Sequence, residues 1–598
     1  MTRMLWWLPE HPPDPGGIAT FASHVAPAVA AAGHDVTMLV ARGDGERQQL
    51  TARLVLQREP FREALEAQNP VAAIRLQRRT REVKSEVDAE LYHVHLSEPS
   101  PFLHVATRTT AAAPTVLTLH NDHDLGFDPD NPDTLLHRLF SLSCVITCVS
   151  ATTTRHFAEL APRFSHRLVT IPNGAPVPEI TAPYPSAPRI TAVGRLAHQK
   201  GFDRLLSAMP TVIDAVPNVH LDLLGDGPEG PTLAATVDQL GLGDHVTMHG
   251  HVAQISVGEH VRLSRFLVAP SRHEGLPYAA LEAAGNARAI VATRVAGTED
   301  VVDHGTTGIL IDNDDADSEP EVLAAAIVEL LRDPARAEAM GLAGRVRTEG
   351  LFSLGACVDA YLATYRCALE PTHDVAVVIP VHNGAPHLGA AIESALADIE
   401  TSGIDAQILV VDDGSSDGSA DIARRYANRG VEVFTQPQLG AGLARNAGIA
   451  LTTGAWIAHL DADDLWPAGR LRRLLDAATD DTEAVFGRAV KFADTDAPRH
   501  VRVKTASRSV RLGNAGLVRR SAYDRIGGLD QAATANQLEW SLRAFDARLR
   551  YELVDDTVLE RRIHAHNMSD GRPCTTDISR VGLLKEHLDR RRAAPVDD

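Results

Sequence analysis

Two groups of charged residues, opposite in sign, are the parts of this sequence that can do chemistry. The first group contains Arg195 and Lys200, which follow the apolar stretch 189–193. An arginine offers a two-pronged donor and a lysine a point charge, and both would lie at the carboxyl end of a strand, where open parallel sheets bind ligands. Together these two cations can hold a diphosphate without a metal ion.

Two carboxylates accompany this cationic group. Glu274 is followed by Gly275 and Leu276, and seven residues in all separate Glu274 from Glu282. Pro277 suits the first position of the helix that carries Glu282, so the backbone amides before that helix would point at a phosphate. A carboxylate beside an anion is costly unless it accepts hydrogen bonds, which the hydroxyl groups of a sugar can supply.

The second group is acidic. Asp412 and Asp413 end one apolar stretch, and Asp461 and Asp463 follow another. In strand-like geometry Asp461 and Asp463 share a face, so both carboxylates can converge on one Mg²⁺ or Mn²⁺ ion and on the diphosphate that it carries. Asp464 would serve as a helix cap. A calcium loop or an ordinary turn is the alternative for an isolated acidic segment of this kind.

The elements that must position these residues follow a regular order. Short apolar stretches alternate with amphipathic segments, which is typical of parallel sheets covered by helices. The proline-rich segment 173–188 predicts a first hinge, and an apolar strand at 375–379, after a helical stretch at 354–368, predicts a second boundary. Gly16 and Gly17 precede a helical pattern, so amides can approach a phosphate there, although a Gly-Gly pair often only forms a turn.

The composition excludes several classes of partner. The formal net charge of the 598 residues is −20, with 58 Lys plus Arg against 78 Asp plus Glu. This balance argues against a nucleic-acid surface and against strong attraction to anionic membranes. Five cysteines without zinc-ligand spacing favour a reducing compartment, and no apolar run approaches the roughly 18 residues of a membrane span. We expect a cytoplasmic protein with at most peripheral membrane contact and no nucleic-acid partner.

One basic segment interrupts the acidic chain and comprises Arg75, Arg78, Arg79, Arg81 and Lys84. A solvated helix face is one interpretation. A contact for an anionic acceptor or a lipid headgroup is the other.

Residues 1 to about 368 resemble glycosyltransferase family 4, whose members are retaining enzymes with the GT-B fold. The motifs that carry the resemblance are Gly16-Gly17, Pro172-Asn173-Gly174, Val193-Gly194-Arg195-Leu196 with Lys200-Gly201, Leu224-Gly225-Asp226-Gly227-Pro228, and Glu274 with Glu282. The resemblance implies two Rossmann-like domains, with the acceptor mainly on the first, the donor mainly on the second, and no cofactor.

The same resemblance implies roles for single residues. Arg195 and Lys200 would hold the diphosphate of the donor, Glu282 the ribose hydroxyls and Glu274 the transferred sugar. His120 matches the histidine that reaches the donor sugar, and an ordinary histidine at a strand end is the alternative. We therefore predict Glu274 and His120 as catalytic residues. The remaining predicted donor contacts in this half are Gly16, Gly17, Gly275 and Leu276.

Residues 374 to about 570 resemble glycosyltransferase family 2, which has the GT-A fold and usually inverts. The matching motifs are Ile379-Pro380-Val381-His382-Asn383, Val411-Asp412-Asp413-Gly414-Ser415, Gly442-Leu443-Ala444-Arg445-Asn446, Leu460-Asp461-Ala462-Asp463-Asp464 and Arg561-Arg562-Ile563-His564-Ala565-His566-Asn567. The resemblance implies that Asp412 and Asp413 meet the ribose and base, and that Asp463, Asp461 and His564 form the Mg²⁺ or Mn²⁺ site. It also makes Pro380, Asn383, Arg445 and Asp461 donor contacts.

An inverting transfer needs a carboxylate base that removes the proton of the acceptor hydroxyl. Many family 2 members carry Glu-Asp where this sequence has Asn536-Gln537. Glu539, one turn before Arg543, is a nearby acid and the predicted catalytic base. A helix charge paired with Arg543 is the alternative.

These observations predict a bifunctional glycosyltransferase of the hexosyltransferase type, with one retaining and one inverting step. Uridine diphosphate sugars are the favoured donors, GDP-mannose is the alternative, and the acceptor is a glycan, a glycolipid or another glycoconjugate or natural product. A single active module with the other as a binding or scaffold domain is a second hypothesis, and an epimerase or phosphorylase in the first half is a third.

The predicted units are an acceptor domain (1–178), a donor domain (179–352), a crossing helix with linker (353–373) and the GT-A domain (374–598).

Overall fold

Three β-sheets with helices between their strands make up the part of the chain that the computed structural model describes. The described residues are 1–14, 16–43, 45–66, 70–96, 100–108, 113–121, 131–314, 320–369, 373–493, 508–509, 513–530 and 536–564. The chain falls into two compact units. The first comprises Met1–Ser143, Thr147–Thr154 and Ile171–Tyr365, and the second comprises Cys144–Ile146, Arg155–Thr170 and the chain from Arg366 onward.

The first sheet has eight strands in the order β3-β4-β2-β1-β5-β6-β7-β8. They are β1 Arg3–Leu8, β2 Asp35–Val40, β3 Arg47–Thr51, β4 Leu54–Arg58, β5 Leu91–Leu96, β6 Thr115–Leu119, β7 Ser143–Cys148 and β8 Leu168–Thr170. The associated helices are Gly17–Ala31, Phe61–Glu66, Pro70–Val87, Phe102–Ala106, Leu135–Leu142 and Ala151–Leu160. From β4 to β6 the strands are parallel, as the apolar runs predict, and β3 is antiparallel to β4.

The second sheet has six parallel strands in the order β11-β10-β9-β12-β13-β14. They are β9 Arg189–Val193, β10 His220–Leu224, β11 Val246–Gly250, β12 Phe266–Ala269, β13 Ala289–Arg294 and β14 Gly308–Asp312. The helices are Phe202–Ala215, Gly230–Gln239, Gln254–Leu263, Tyr278–Gly285, Thr298–Val301, Pro320–Arg332 and Pro334–Leu351. This strand order is the doubly wound one, in which ligands bind where the carboxyl ends of the strands meet.

The third sheet follows the order β17-β16-β15-β18-β21-β19-β20, and β22 pairs with β19. Its strands are β15 Val375–Val381, β16 Ala406–Asp413, β17 Val431–Gln436, β18 Trp456–His459, β19 Ala484–Ala493, β20 Arg508–Ser509, β21 Gly516–Arg519 and β22 Tyr551–Ile563. Its helices are Ala385–Ser402, Ser419–Arg424, Ala441–Ala450, Arg470–Asp476, Arg520–Ile526 and Asn536–Asp546. The first four strands are parallel, and β21 runs antiparallel to both β18 and β19.

The helix Leu354–Leu369 matches the helical stretch expected at 354–368. Its buried tyrosines face the first sheet: the Tyr361 hydroxyl lies 3.3 Å from Thr118 Oγ1, and the Tyr365 hydroxyl lies 2.7 Å from His93 Nδ1. The chain therefore returns to the first domain after the second, as a crossing helix does. Within the described residues, no helix combines the length and apolar composition that crossing a membrane requires.

The basic segment lies on the helix Pro70–Val87, where three of its five residues contact other groups of the protein. Arg79 pairs with Glu59 at 2.8 Å, and Arg78 with Glu82 at 3.0 Å. Lys84 is packed inward, where burial lowers its pKa to about 7, and its Nζ donates to a backbone carbonyl. These contacts favour the structural interpretation of the cluster.

Candidate active sites

The first site lies at the carboxyl edge of the second sheet, where three loops meet. Gly225 has a φ of +143°, and a Cβ built there would lie 1.8 Å from the Gly194 carbonyl oxygen. The loop that follows β10 therefore packs backbone to backbone against the loop that follows β9. Arg272 N donates to Gln199 O at 2.8 Å, which joins the latter loop to the one after β12.

These contacts bring Lys200 and Glu274 together. Lys200 Nζ lies 2.6 Å from Glu274 Oε1, and Ser271 Oγ donates to the same oxygen at 2.7 Å. Glu274 is buried, whereas Arg195 is exposed. Among the described residues, the Arg195 guanidinium has no hydrogen bond or ion pair. Arg195 is thus open to an anionic ligand. Lys200 can exchange its contact with Glu274 for a contact with the same ligand.

The loop after β12 also reaches the end of β6, which carries His120. A Cβ built on Gly275 would lie 1.8 Å from the His120 carbonyl oxygen, so only glycine fits here. Asn173 Nδ2 donates to Leu276 O at 3.1 Å and holds the loop from another side. Glu282 is half-buried in the helix Tyr278–Gly285, which begins one residue later than expected because Pro277 is its N-cap.

His120 has a partner that the sequence did not suggest. Its Nε2 lies 2.9 Å from His95 Nδ1, and its ring packs on Phe21. Burial lowers the pKa of His120 to about 3, so the imidazole is neutral at physiological pH. It can donate or accept a hydrogen bond there, but it cannot act as a cation. The only signal for His95 is that His93 and His95 alternate along an otherwise apolar strand.

Gly16 and Gly17 stand at the start of the helix Gly17–Ala31, as expected. The Glu10 carboxylate lies against Gly16 and accepts a hydrogen bond from Ala19 N at 3.4 Å. Burial raises the pKa of Glu10. The Glu10 carboxylate thus lies at the helix N-terminus where we expect the phosphate of a ligand. Either anion is favourable at a helix N-terminus.

The second site lies at the carboxyl edge of the third sheet. Asp413 is buried and accepts three hydrogen bonds from its own chain: from Gln436 Nε2 at 2.8 Å, from Leu439 N at 2.8 Å and from Gly440 N at 2.7 Å. Its carboxylate therefore shapes the loop that leads into the helix Ala441–Ala450. The predicted contact of Asp413 with the nucleotide base would be a second role beside this structural role.

The loops after β15 and β16 hold one another through Asn383. Its backbone N donates to Ser415 Oγ at 2.9 Å, and its Oδ1 accepts from Ser416 N at 2.8 Å. Asp412 is buried, which raises its pKa, and its Oδ1 accepts from Ser415 N at 3.3 Å. Pro380 lies in β15, one residue before its end. The four predicted donor residues of these strand ends are therefore neighbours.

The acidic turn differs from the strand-like geometry that we expected. Asp464 N donates to Asp461 O at 3.0 Å, so residues 461–464 form a turn. Asp461 Oδ1 pairs with Arg445 Nη2 at 2.5 Å, and its Oδ2 accepts from Asn514 Nδ2 at 3.1 Å. Burial alone would raise the pKa of Asp461, but the Arg445 guanidinium outweighs burial and lowers it.

Asp463 and His564 are the predicted metal ligands that lie together. His564 Nε2 is 3.2 Å from Asp463 Oδ2, and the His564 ring is also packed against His387. A carboxylate and an imidazole at this distance suit a divalent ion. Both oxygens of Asp461 have partners within the protein. The turn thus gives Asp461 and Asp463 different neighbours.

Asp464 anchors the strand that carries His564, rather than capping a helix as we expected. Its Oδ1 accepts from Arg562 N at 3.0 Å, and Arg562 Nε donates to Asp463 O at 3.0 Å. Burial, followed by the charges of Asp461 and Asp463, raises the pKa of Asp464 well above its usual range. Burial therefore favours the protonated form of Asp464, and its hydrogen bond from Arg562 N gives it a structural role.

Glu539 is buried and forms a two-pronged ion pair. Its Oε1 lies 2.5 Å from Arg543 Nε and its Oε2 lies 2.9 Å from Arg543 Nη2. Arg543 also donates to Ile526 O at 2.9 Å. Asn536, which stands in place of the usual acid, has its Oδ1 3.4 Å from Arg445 Nη1. The ion pair between Glu539 and Arg543 within one helix, which was the alternative to a catalytic role for Glu539, is therefore present.

Comparison with known proteins matches these regions to three family descriptions. "Glycosyltransferase Family 4" matches residues 15–177, "Glycosyl transferases group 1" matches residues 187–333, and "Glycosyl transferase family 2" matches residues 376–528. The fold and the family matches together define a glycosyltransferase. The chain joins the family 4 type, with the GT-B fold, to the family 2 type, with the GT-A fold.

Similar proteins agree with this class. A D-inositol 3-phosphate glycosyltransferase of Segniliparus rotundus is 36% identical over 192 residues, which are 31% of this chain and 41% of that protein. A GDP-mannose-dependent alpha-(1-6)-phosphatidylinositol monomannoside mannosyltransferase of Mycobacterium tuberculosis is 28% identical over 372 residues, which are 58% of this chain and 93% of that protein. Sucrose-phosphate synthase of Thermosynechococcus elongatus shares the fold, with a TM-score of 0.52, 21% identity, and coverage of 61% of this chain and 98% of that one.

Proposed function

We propose that this protein is a bifunctional glycosyltransferase that uses nucleotide-diphosphate sugars at both sites. The observation that carries the proposal is that each unit has its own charged site. The first is built from the cations Arg195 and Lys200, and the second is built around the Asp463–His564 pair. Two different ways of neutralising a diphosphate favour two transfer reactions over a single transfer reaction.

In the first transfer, Arg195 binds the leaving diphosphate, and Lys200 turns to it from Glu274 when the donor enters. Glu274 is then free to accept hydrogen bonds from the hydroxyls of the transferred sugar. His120, held neutral by burial, contributes a hydrogen bond rather than a proton. Stabilising the charge that develops on the leaving group is the largest contribution that such a site makes to rate. The leaving phosphate assists deprotonation of the acceptor, and the product retains its configuration.

In the second transfer, Asp463 and His564 would hold the divalent ion. That ion, Mg²⁺ or Mn²⁺, supplies the positive charge that the diphosphate needs. The Arg445–Asp461 pair keeps Arg445 beside the acidic turn. There the guanidinium would contact the sugar-nucleotide donor. Glu539 is the proposed base, and it must exchange part of its contact with Arg543 for the acceptor hydroxyl.

GDP-mannose is the first donor to test at the GT-B site, because the relative matched over 93% of its length is described as GDP-mannose-dependent. A uridine diphosphate hexose is the second. The proposed acceptor is a glycan, a glycolipid or another glycoconjugate, and the proposed location is the cytoplasm.

The second candidate function has one active module, with the GT-A unit as a sugar-nucleotide-binding or scaffold domain. The two-pronged hold of Arg543 on Glu539 favours it, together with Asn536-Gln537 in place of the usual acids. In this case the unit binds a donor with metal but does not turn it over.

Single substitutions in the full-length chain test the proposal. Glu282→Ala should lower the chelator-resistant transfer at least about 100-fold and leave the Mn²⁺-dependent transfer unchanged, and Asp463→Asn should do the reverse. Glu329→Ala and Asp555→Asn are matched controls, because each removes only an exposed surface ion pair. The measurement is release of nucleoside diphosphate from each donor.

Two outcomes would overturn the proposal. If Glu282→Ala and Asp463→Asn abolish the same sugar addition, two independent sites are wrong. If no donor turns over in a metal-dependent way, yet Mn²⁺ and a donor still bind to the chain and Asp463→Asn removes that binding, the scaffold function replaces the second transfer.

A further inference from the structure

We propose that Asp222, His249 and His260 form a binding site for a transition-metal ion of the Zn²⁺ or Co²⁺ type. One ligand atom of each residue lies within 4.8 Å of the others. This group lies in the donor domain of the GT-B half, outside the residues that form either proposed active site. Two imidazoles and one carboxylate are the ligand set of many metal centres that keep a fourth position for water.

The carboxylate of this group is buried and oriented in advance. Asp222 is 1% exposed. Its Oδ2 pairs with Arg189 Nη1 at 2.6 Å, so its Oδ1 is the oxygen left to face the histidines. His249 Nε2 lies 2.8 Å from that Oδ1. A carboxylate fixed by an arginine is the kind of outer support that orients a metal ligand.

The backbone places His249 in the group. Leu223 pairs with Met248, but Leu224 pairs with Gly250, so His249 is the extra residue of a bulge at the edge strand β11. His249 lies two residues after Thr247, which pairs with Asp222, so strand alternation puts His249 on the Asp222 face, and the bulge leaves it without a direct partner on β10. Met248 then packs towards the core of the domain, while His249 is left on the face that carries Asp222.

The third ligand comes from a different element. His260 lies in the helix Gln254–Leu263, and its ring centroid is 4.6 Å from that of His249, with the rings at 65°. The group therefore joins the edge strand β11, the neighbouring strand β10 and one covering helix. An ion bound by all three would tie the helix to the sheet edge and would keep one position for water.

His220 is a histidine on the same face that does not belong to the group. Its Nε2 bonds to Thr247 Oγ1 at 2.8 Å and lies 4.0 Å from Asp222 Oδ1. It is therefore the matched control: an imidazole beside the same carboxylate, held by another partner.

The test uses the untagged full-length chain with Asp463→Asn, which removes the metal pair of the second unit. This protein is stripped with chelator and titrated with Co²⁺, read by visible absorption, and with Zn²⁺, read by calorimetry. We expect one tight equivalent of either ion. Adding His260→Ala should weaken binding at least tenfold, whereas adding His220→Ala should change it less than threefold.

Three results would overturn the proposal. They are no stoichiometric binding of Co²⁺ or Zn²⁺, equal weakening by His260→Ala and His220→Ala, and displacement of Co²⁺ by millimolar Mg²⁺, since a hard ion does not compete for imidazole. Far-ultraviolet circular dichroism of each variant shows that a loss of binding is not a loss of folding. The glycosyl-transfer assays do not enter the test, so its failure leaves the proposed function intact.

Discussion

Replacing Gly275 by alanine should impair the first transfer while leaving the protein folded. Gly275 connects Glu274 to the helix that carries Glu282, and its Cα faces the end of β6. The added Cβ would lie 1.8 Å from the His120 carbonyl oxygen and 2.9 Å from the His120 carbonyl carbon. The substitution therefore acts on the contact between the donor loop and the strand end that carries His120.

The size of the effect follows from this distance. Real Cβ atoms essentially never come closer than 3.0 Å, so the gap must widen from 1.8 Å to at least that value. A displacement of about 1 Å at reacting groups costs on the order of 100-fold in rate. That factor corresponds to about 2.7 kcal/mol of activation free energy. We expect kcat to fall by about that factor and the melting temperature to change by less than about 4 °C, because the contact joins the ends of two loops rather than side chains within a hydrophobic core.

The assay is donor turnover in the presence of chelator, with the Mn²⁺-dependent transfer measured in parallel as an internal reference. Gly243→Ala is the matched control, since a Cβ at Gly243 meets nothing within 4 Å. The reasoning is refuted if Gly275→Ala keeps the first transfer within threefold of the parent. It is equally refuted if Gly243→Ala impairs that transfer as much.

Two further predictions concern stability. Asp464→Asn should cost less than about 1 kcal/mol of unfolding free energy, because burial already favours the neutral form of that acid, whereas Asp461→Asn should cost about 3 kcal/mol because it leaves the buried Arg445 guanidinium without its half-buried carboxylate partner. Urea unfolding decides this, and equal costs would contradict the assignment. Burial lowers the pKa of both His120 and His459 to about 3 in the folded chain. Below pH 6.5 these histidines are therefore protonated in the unfolded chain but stay neutral in the folded chain. The unfolding free energy should therefore fall as the pH drops from about 6.5 towards 3, by about 1.4 kcal/mol per pH unit for each histidine. A stability at pH 5.5 equal to that at pH 7.5 would contradict the neutral state of these rings.

Local patterns predicted the elements and the family matches well, since they depend on neighbouring residues. The apolar runs before Arg195 and Asp412 are buried parallel strands, and the motifs at their ends stand at the carboxyl edges of two sheets. The second half of the acidic motif is where local reasoning failed. A turn, rather than a strand, follows β18, and Asp461 turns to Arg445 instead of sharing a face with Asp463.

The sequence by itself determined which residue types occur at each strand end, and therefore the fold class and the chemistry available to each unit. Only the tertiary structure decided which of them are partners: Lys200 with Glu274, His120 with His95, and Asp222 with His249. Such pairs join residues that are far apart along the chain, and their distances depend on how loops from different strands pack. Spacing along one strand or helix carries no information about that packing, because a side chain finds its partner through the backbone of the whole domain.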